Sequence, residues 1–230
     1  MTGRLETLDA VEAAIWEQLA LCVVDKSHPW RTPVLATIDG ERADARTVVL
    51  REIDERQHAL LIYTDERAGK VHPLLRQPHG TLVMWSPALG WQLRCRVRLV
   101  IEMSGLAASS RWARVRLSPA AQDYLSPLPP GTTVGAPAPP PPPHDPVARD
   151  YFAVIEAAID AIDWLDLHPD GHRRAIFDAR GARWVQPERS LKAGLRFSTK
   201  AAMPSFWSSV ANSEWNMRRS NSMPSASGPS

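Results

Sequence analysis

The sequence predicts a mostly β fold, with antiparallel strands forming a meander or small barrel flanked by helices. Three observations carry this reading. Short β-branched or aromatic runs follow one another between Thr32 and Trp85, parted by turn formers such as Asp39-Gly40 and Gln77-Pro78-His79-Gly80. Between residues 91 and 103 the polarity alternates with period two, Gln92, Arg94, Arg96 and Arg98 against Leu93, Cys95, Val97 and Leu99. The links between the early runs are too short for the crossovers that parallel strands need. With 44% hydrophobic residues among 230, the chain can fill one sizeable core, and a single domain over residues 1–197 with a tail at 198–230 is expected.

The elements follow in order. Leu8, Val11, Ile15 and Leu19 recur at helical spacing within residues 7–21, behind Thr7 as N-cap, and this helix is expected to cover one end of the barrel. A strand at 32–38, a return at 43–52 and a third strand at 59–64 then read as a meander or small barrel. Residues 67–76 read as a short helix limited by Pro73, followed by strands at 81–85 and 91–103. Two helical pieces are expected between 108 and 124, the second starting at Ser118-Pro119. Pro127 to Pro143 is a Pro-rich spacer loop without a core of its own. Asp145-Pro146 is expected to start a helix with Tyr151, Ile155, Ala158 and Ile162 as its buried stripe, ending near Asp163. Strands at 164–168, 172–178 and 182–185 complete the sheet, and the Ser-, Asn- and Met-rich segment from about Ser198 is expected to be disordered.

Composition narrows the function. A net charge of +2, from 27 Lys and Arg against 25 Asp and Glu, gives no argument for nucleic acid as partner. Cys22 and Cys95 stand far apart and in no motif, which suits a reducing compartment. No signal-peptide core and no run near ~18 apolar residues is present, so a cytoplasmic protein without a membrane segment is expected. The sequence contains no metal-ligand spacing, nucleophile elbow, P-loop or Gly-rich dinucleotide turn, so redox chemistry has to come from a bound cofactor.

The residues best suited to hold one are cationic. Arg46 and Arg51 bracket the run Thr47-Val48-Val49-Leu50, and Arg67 and Lys70 stand at the start of the short helix. Arg46, Arg67 and Lys70 can grip a phosphate by charge-assisted hydrogen bonds, while the backbone of Val48–Leu50 and the Gln92 amide suit a polar ring. Three same-face arginines on the 91–103 strand, Arg94, Arg96 and Arg98, repel one another and ask for anionic or polar partners.

Arg46-Thr47-Val48-Val49-Leu50-Arg51, Tyr63-Thr64-Asp65, Lys70 and Gln92-Leu93-Arg94, with His172-Arg173-Arg174 and Trp184 further on, resemble the pyridoxamine 5′-phosphate oxidase family, whose fold is an FMN-binding split barrel. The resemblance spans roughly residues 30 to 187 and implies FMN at the interface of a homodimer. It implies that Arg46 and Lys70 hold the phosphate, that Val48, Val49 and Leu50 line the ring, and that Tyr63, Thr64 and Gln92 also touch the flavin. Arg51 sits where the family places a substrate-phosphate lysine, and Arg173 where it places a substrate-contacting arginine. Trp112 and Arg116 match the family's substrate tyrosine and arginine in spacing alone. In the family oxidase a hydride passes from substrate carbon to flavin N5, and dioxygen reoxidises the flavin to give hydrogen peroxide.

The chain also departs from the family. Gly69 precedes Lys70 where the oxidase has arginine, Leu167-His168-Pro169-Asp170 replaces Trp-Gln-Gly-Gly, and the terminal Arg-Leu-x-Pro is missing. The cofactor half is kept and the substrate half altered. An oxidoreductase acting on a small molecule is the first expectation. An FMN-binding protein or flavin reductase of other substrate is the second, and a non-catalytic module that uses the arginine strand for an acidic partner is the third.

Overall fold

A computed structural model describes residues 4–126, 128–135 and 151–187. Helix α1 (Leu8–Val24) starts as its sequence dictates, with the Thr7 hydroxyl accepting from the Ala10 amide at 3.2 Å. Its buried stripe is Val11, Ile15, Leu19 and Cys22, which joins the main core. The strands are β1 (Val34–Asp39), β2 (Arg42–Thr47), β3 (Leu50–Asp54), β4 (Ala59–Asp65), β5 (His79–Ser86), β6 (Trp91–Glu102), β7 (Phe152–Asp166), β8 (Arg173–Asp178) and β9 (Gly181–Val185). Helix α2 (Val71–Arg76) links β4 to β5, and α3 (Gly105–Val115) with a 3-10 turn (Pro119–Tyr124) forms an arm after β6.

All nine strands belong to one sheet, antiparallel at every pairing, in the order β2-β1-β5-β6-β7-β4-β3, with β8 on β7 and β9 on β8. The two ends of this order, β2 and β3, are consecutive in the chain and separated only by Val48 and Val49. A link that short holds the two sheet edges near each other, so the sheet curls into a barrel that stays open along one seam. The split-barrel fold class expected from sequence is the fold observed. Leu35, Leu82, Leu93, Cys95, Ile162 and Trp164 fill its interior with at most 4% exposure.

Two sequence expectations are corrected. The run from 43 to 52 is not one returning strand in a meander: the pairing with β1 ends at Val48, whose amide makes a last bond to the Pro33 carbonyl at 2.9 Å, and β3 pairs only with β4. The larger error concerns the helix proposed to run to Asp163. Of that segment, residues 145–150 lie outside the described residues, and Phe152–Asp166 is a strand, the longest in the sheet. Its first half pairs with β4 and its second with β8, while β6 runs along its other side. Buried on both faces over most of its length, it reads as a near-continuous apolar run whose period does not tell strand from helix. Pro127, residues 136–143 and the tail at 198–230 also lie outside the described residues.

Candidate functional site

The break between β2 and β3 is where the expected cofactor residues gather. Arg46, on β2, donates from Nη1 to the Leu35 carbonyl at 3.2 Å and to Thr37 Oγ1 at 2.6 Å, and its Nη2 pairs with the exposed Asp44. These bonds aim a half-buried guanidinium across β1. Lys70 precedes α2 and is half-buried; burial first, and the charge of Arg46 second, hold its amine below the usual lysine range. The two cations therefore lie within electrostatic reach of each other. Among the described residues the Lys70 amine has no hydrogen-bond or ion-pair partner, and Asp65 acts on it only at a distance. Two like charges within electrostatic reach in a partly dry setting suit one anion, and a phosphate monoester meets that requirement.

Val48 and Leu50 are buried, with Val49 half-buried between them. Leu50 pairs with Ile62, so the Val48–Leu50 backbone runs beside the Ile62–Thr64 end of β4. Thr64 is buried and donates to the Asp65 carbonyl at 3.2 Å. The Tyr63 phenol donates to Glu52 Oε1 at 2.5 Å, and burial followed by that carboxylate pushes the phenol well above its ordinary range. Arg67 takes a different part from the one its sequence position suggests. Its guanidinium pairs with buried Asp65 at 2.7 Å, reaches the Ser126 carbonyl at 2.8 Å and lies 3.2 Å over the Tyr151 ring. It thus closes the loop that carries Lys70 onto the segment after α3.

The remaining candidates lie elsewhere. Gln92 pairs with Leu165 near one end of β6, whereas Tyr63 pairs with Val154 and so aligns with Glu102 at the other end. Ten strand residues separate the two rows, about 30 Å at the usual rise. Arg173 lies at the Gln92 end, where it pairs with Asp166 at 3.3 Å, donates to the Leu5 carbonyl at 2.5 Å and faces the Trp184 ring at 5.7 Å. It borders a cavity of about 340 Å³ that Arg4, Trp91 and His168 also line. Arg116 ends α3 and is exposed. Arg51 is the extra residue of a bulge in β3, and its charge acts on the Tyr124 phenol.

Glu52 and Asp163 carry no signal in the sequence, and Asp65 stands out there only as the end of Tyr63-Thr64-Asp65. Asp65-x-Arg67 is a local turn signal, since the Asp65 carboxylate accepts the Arg67 amide at 2.7 Å. Asp163 answers the repulsion expected along β6: it pairs with Arg94 directly opposite and with Arg174 at 2.6 Å. Burial alone would raise its pKa, but the hydrogen bonds and charges of these two arginines outweigh that and lower it. Among the described residues no group of three His, Cys, Asp or Glu is placed to hold a metal ion, and no helix is long and apolar enough to cross a membrane.

Set against known proteins, the chain matches over the part that builds this seam. Residues 13–102 match the family model of the pyridoxamine 5′-phosphate oxidase FMN-binding domain. The resemblance to that family is thereby borne out over residues 13–102, and the matched segment ends with β6. A pyridoxamine 5′-phosphate oxidase-related, FMN-binding protein from Nostoc punctiforme is similar in structure at TM-score 0.60 and 25% identity, over 76% of this chain and 96% of its own. PhzG from Burkholderia lata, solved with tetrahydrophenazine-1-carboxylic acid, is similar at TM-score 0.61 and 15% identity, over 81% of this chain and 99% of its own; that likeness is one of fold. A search of curated proteins gives no match.

Proposed function

We propose that this protein is a cytoplasmic FMN-dependent oxidoreductase that works as a homodimer and moves a hydride between a small molecule and the flavin. The observation that carries the reading is the Arg46–Lys70 pair: two cations, one without an anionic partner among the described residues, at the open seam of an oxidase-type barrel. In this reading Arg46 and Lys70 hold the phosphate. Val48, Val49 and Leu50 lie along the ring, and Tyr63, Thr64 and Gln92 complete its contacts. When bound, FMN supplies a ring that accepts or donates a hydride. In this reading the chain orients that ring along the Val48-Val49 crossing between β2 and β3.

The spacing along β6 supports the homodimer. One FMN cannot reach both Tyr63 and Gln92 of one chain across about 30 Å. A second copy that lays its Gln92 end against the seam supplies the missing contact.

The substrate side supports a second reading, an FMN protein or flavin reductase whose substrate is not pyridoxamine 5′-phosphate. Arg173 is already held by Asp166 and the Leu5 carbonyl, and Leu167-His168-Pro169-Asp170 stands where the family oxidase carries Trp-Gln-Gly-Gly.

Titration of flavin-free protein with FMN and with riboflavin tests the proposal. A charge-assisted phosphate grip makes FMN the tighter ligand by about 10- to 150-fold, from roughly 1.5–3 kcal/mol. Equal affinity for the two removes the phosphate role of Arg46 and Lys70, and no binding of either removes the flavin. Hydrogen peroxide release with pyridoxamine 5′-phosphate then separates the first reading from the second.

A further inference from the structure

The residues that hold the arm after β6 are the neighbours of the flavin seam. In a regular strand, consecutive side chains point to opposite faces. The bulge between Leu50 and Glu52 inserts one residue into β3, and with it Arg51 and Glu52 both reach the arm: Arg51 acts on Tyr124, and Glu52 accepts from Arg111 Nε at 3.0 Å and Arg114 Nη2 at 2.7 Å. The same Glu52 carboxylate accepts the Tyr63 phenol at 2.5 Å. Three donors from two elements converge on one half-buried carboxylate. Beneath it Phe152 packs edge-on to Tyr63, with ring centroids 5.0 Å apart, and to Tyr124 at 5.2 Å.

We propose that Glu52 is a positioning residue of the flavin site: it fixes the Tyr63 phenol and latches the arm 105–126 onto edge strand β3, so that arm closure and flavin binding are coupled. The inference rests on the FMN reading above. The Glu52 carboxylate bonds Tyr63, Arg111 and Arg114, and so acts through Tyr63 on one side and α3 on the other. Binding that orders Tyr63 tightens the Glu52 cluster and with it the arm, and loss of the latch weakens binding by the same factor, as linkage requires.

The test combines FMN titration with amide hydrogen exchange of α3 in the full-length protein, for wild type, Glu52→Gln and Arg114→Gln. Glu52→Gln removes the charge that holds both arginines, while Arg114 is 68% exposed, so its replacement releases the arm without disturbing a core. FMN is expected to slow exchange in α3 of the wild type. In both variants α3 is expected to exchange about tenfold faster, FMN is expected to slow it no further, and Glu52→Gln is expected to bind FMN about tenfold more weakly. Wild-type affinity and wild-type α3 exchange in Glu52→Gln overturn the latch. If Glu52→Gln does not fold, Arg114→Gln decides: α3 protected by FMN as in the wild type overturns the coupling. A wild type that binds no FMN removes the flavin reading and the coupling with it, whereas FMN binding that is unchanged by loss of Glu52 removes the coupling alone.

Discussion

Lys70 shows how one side chain records an absent counter-charge. Its amine is depressed by burial and by Arg46, so the charged form is less favoured in the folded chain than in the unfolded one. The unfolded chain therefore binds more protons between the two pKa values, and stability rises as pH climbs through the folded value. An incoming phosphate reverses the effect by favouring the charged amine. FMN affinity is accordingly expected to fall as pH rises through the depressed pKa, and Lys70→Met to flatten that alkaline limb; affinities measured across the alkaline range check both. Arg46→Ala is expected to weaken FMN binding by about 1.5–3 kcal/mol, the worth of a charged hydrogen bond, in calorimetric titration of the flavin-free protein. The Arg46–Lys70 pairing was legible because permanent cations near a β-branched run need anions. The engagement of Arg67 was not, since nothing in Thr64-Asp65-Glu66-Arg67 says that Asp65 is buried. Residue types announce charge, but burial decides which charges are already answered.

Most elements were legible, and β7 shows why one was not. Ile155, Ala158 and Ile162 recur at helical spacing, Glu156, Asp160 and Asp163 sit on the opposite side of the same wheel, and alanine favours helix. In the fold Ile155 pairs with Ile62 on one side and Ile101 on the other, and the three acidic residues do different things on a strand. Glu156 faces Leu61, Asp163 bridges two arginines, and Asp160 is the extra residue where β6 and β7 slip register. Long-range pairing overrode a local pattern. The error bears on stability, because a strand at the centre of the sheet tolerates little. Ile155→Ala, at a fully buried site, is expected to cost about 2–5 kcal/mol. Urea unfolding that shows a lower midpoint at unchanged slope would bear this out.

At the scale of the molecule, barrel closure could be read only in part. Short antiparallel strands were evident, but the crossing at Val48-Val49 from one sheet edge to the other was not, because no local signal marks a strand that changes neighbours. That crossing creates the seam, while the registers of β4 and β6 on β7 set Tyr63 far from Gln92. A shared site between two copies has a direct test. Mixed dimers of Arg46→Ala and Gln92→Ala carry one site with both lesions and one with neither. Co-expression is expected to restore tight FMN binding at about half the sites of such dimers, read by titration against each variant alone. Binding no tighter in the mixture places all contacts within one chain.

Strand β2 leaves most of its length uncovered, and every residue of it except Arg46 is exposed. An uncovered strand invites pairing with any other extended chain. Arg42, Asp44 and Arg46 alternate along it, so a stranger docking there must strip water from charged groups without offering them replacements. Charge at this margin therefore guards the edge, and Arg42→Ala or Asp44→Ala is expected to make the folded protein associate edge to edge more readily.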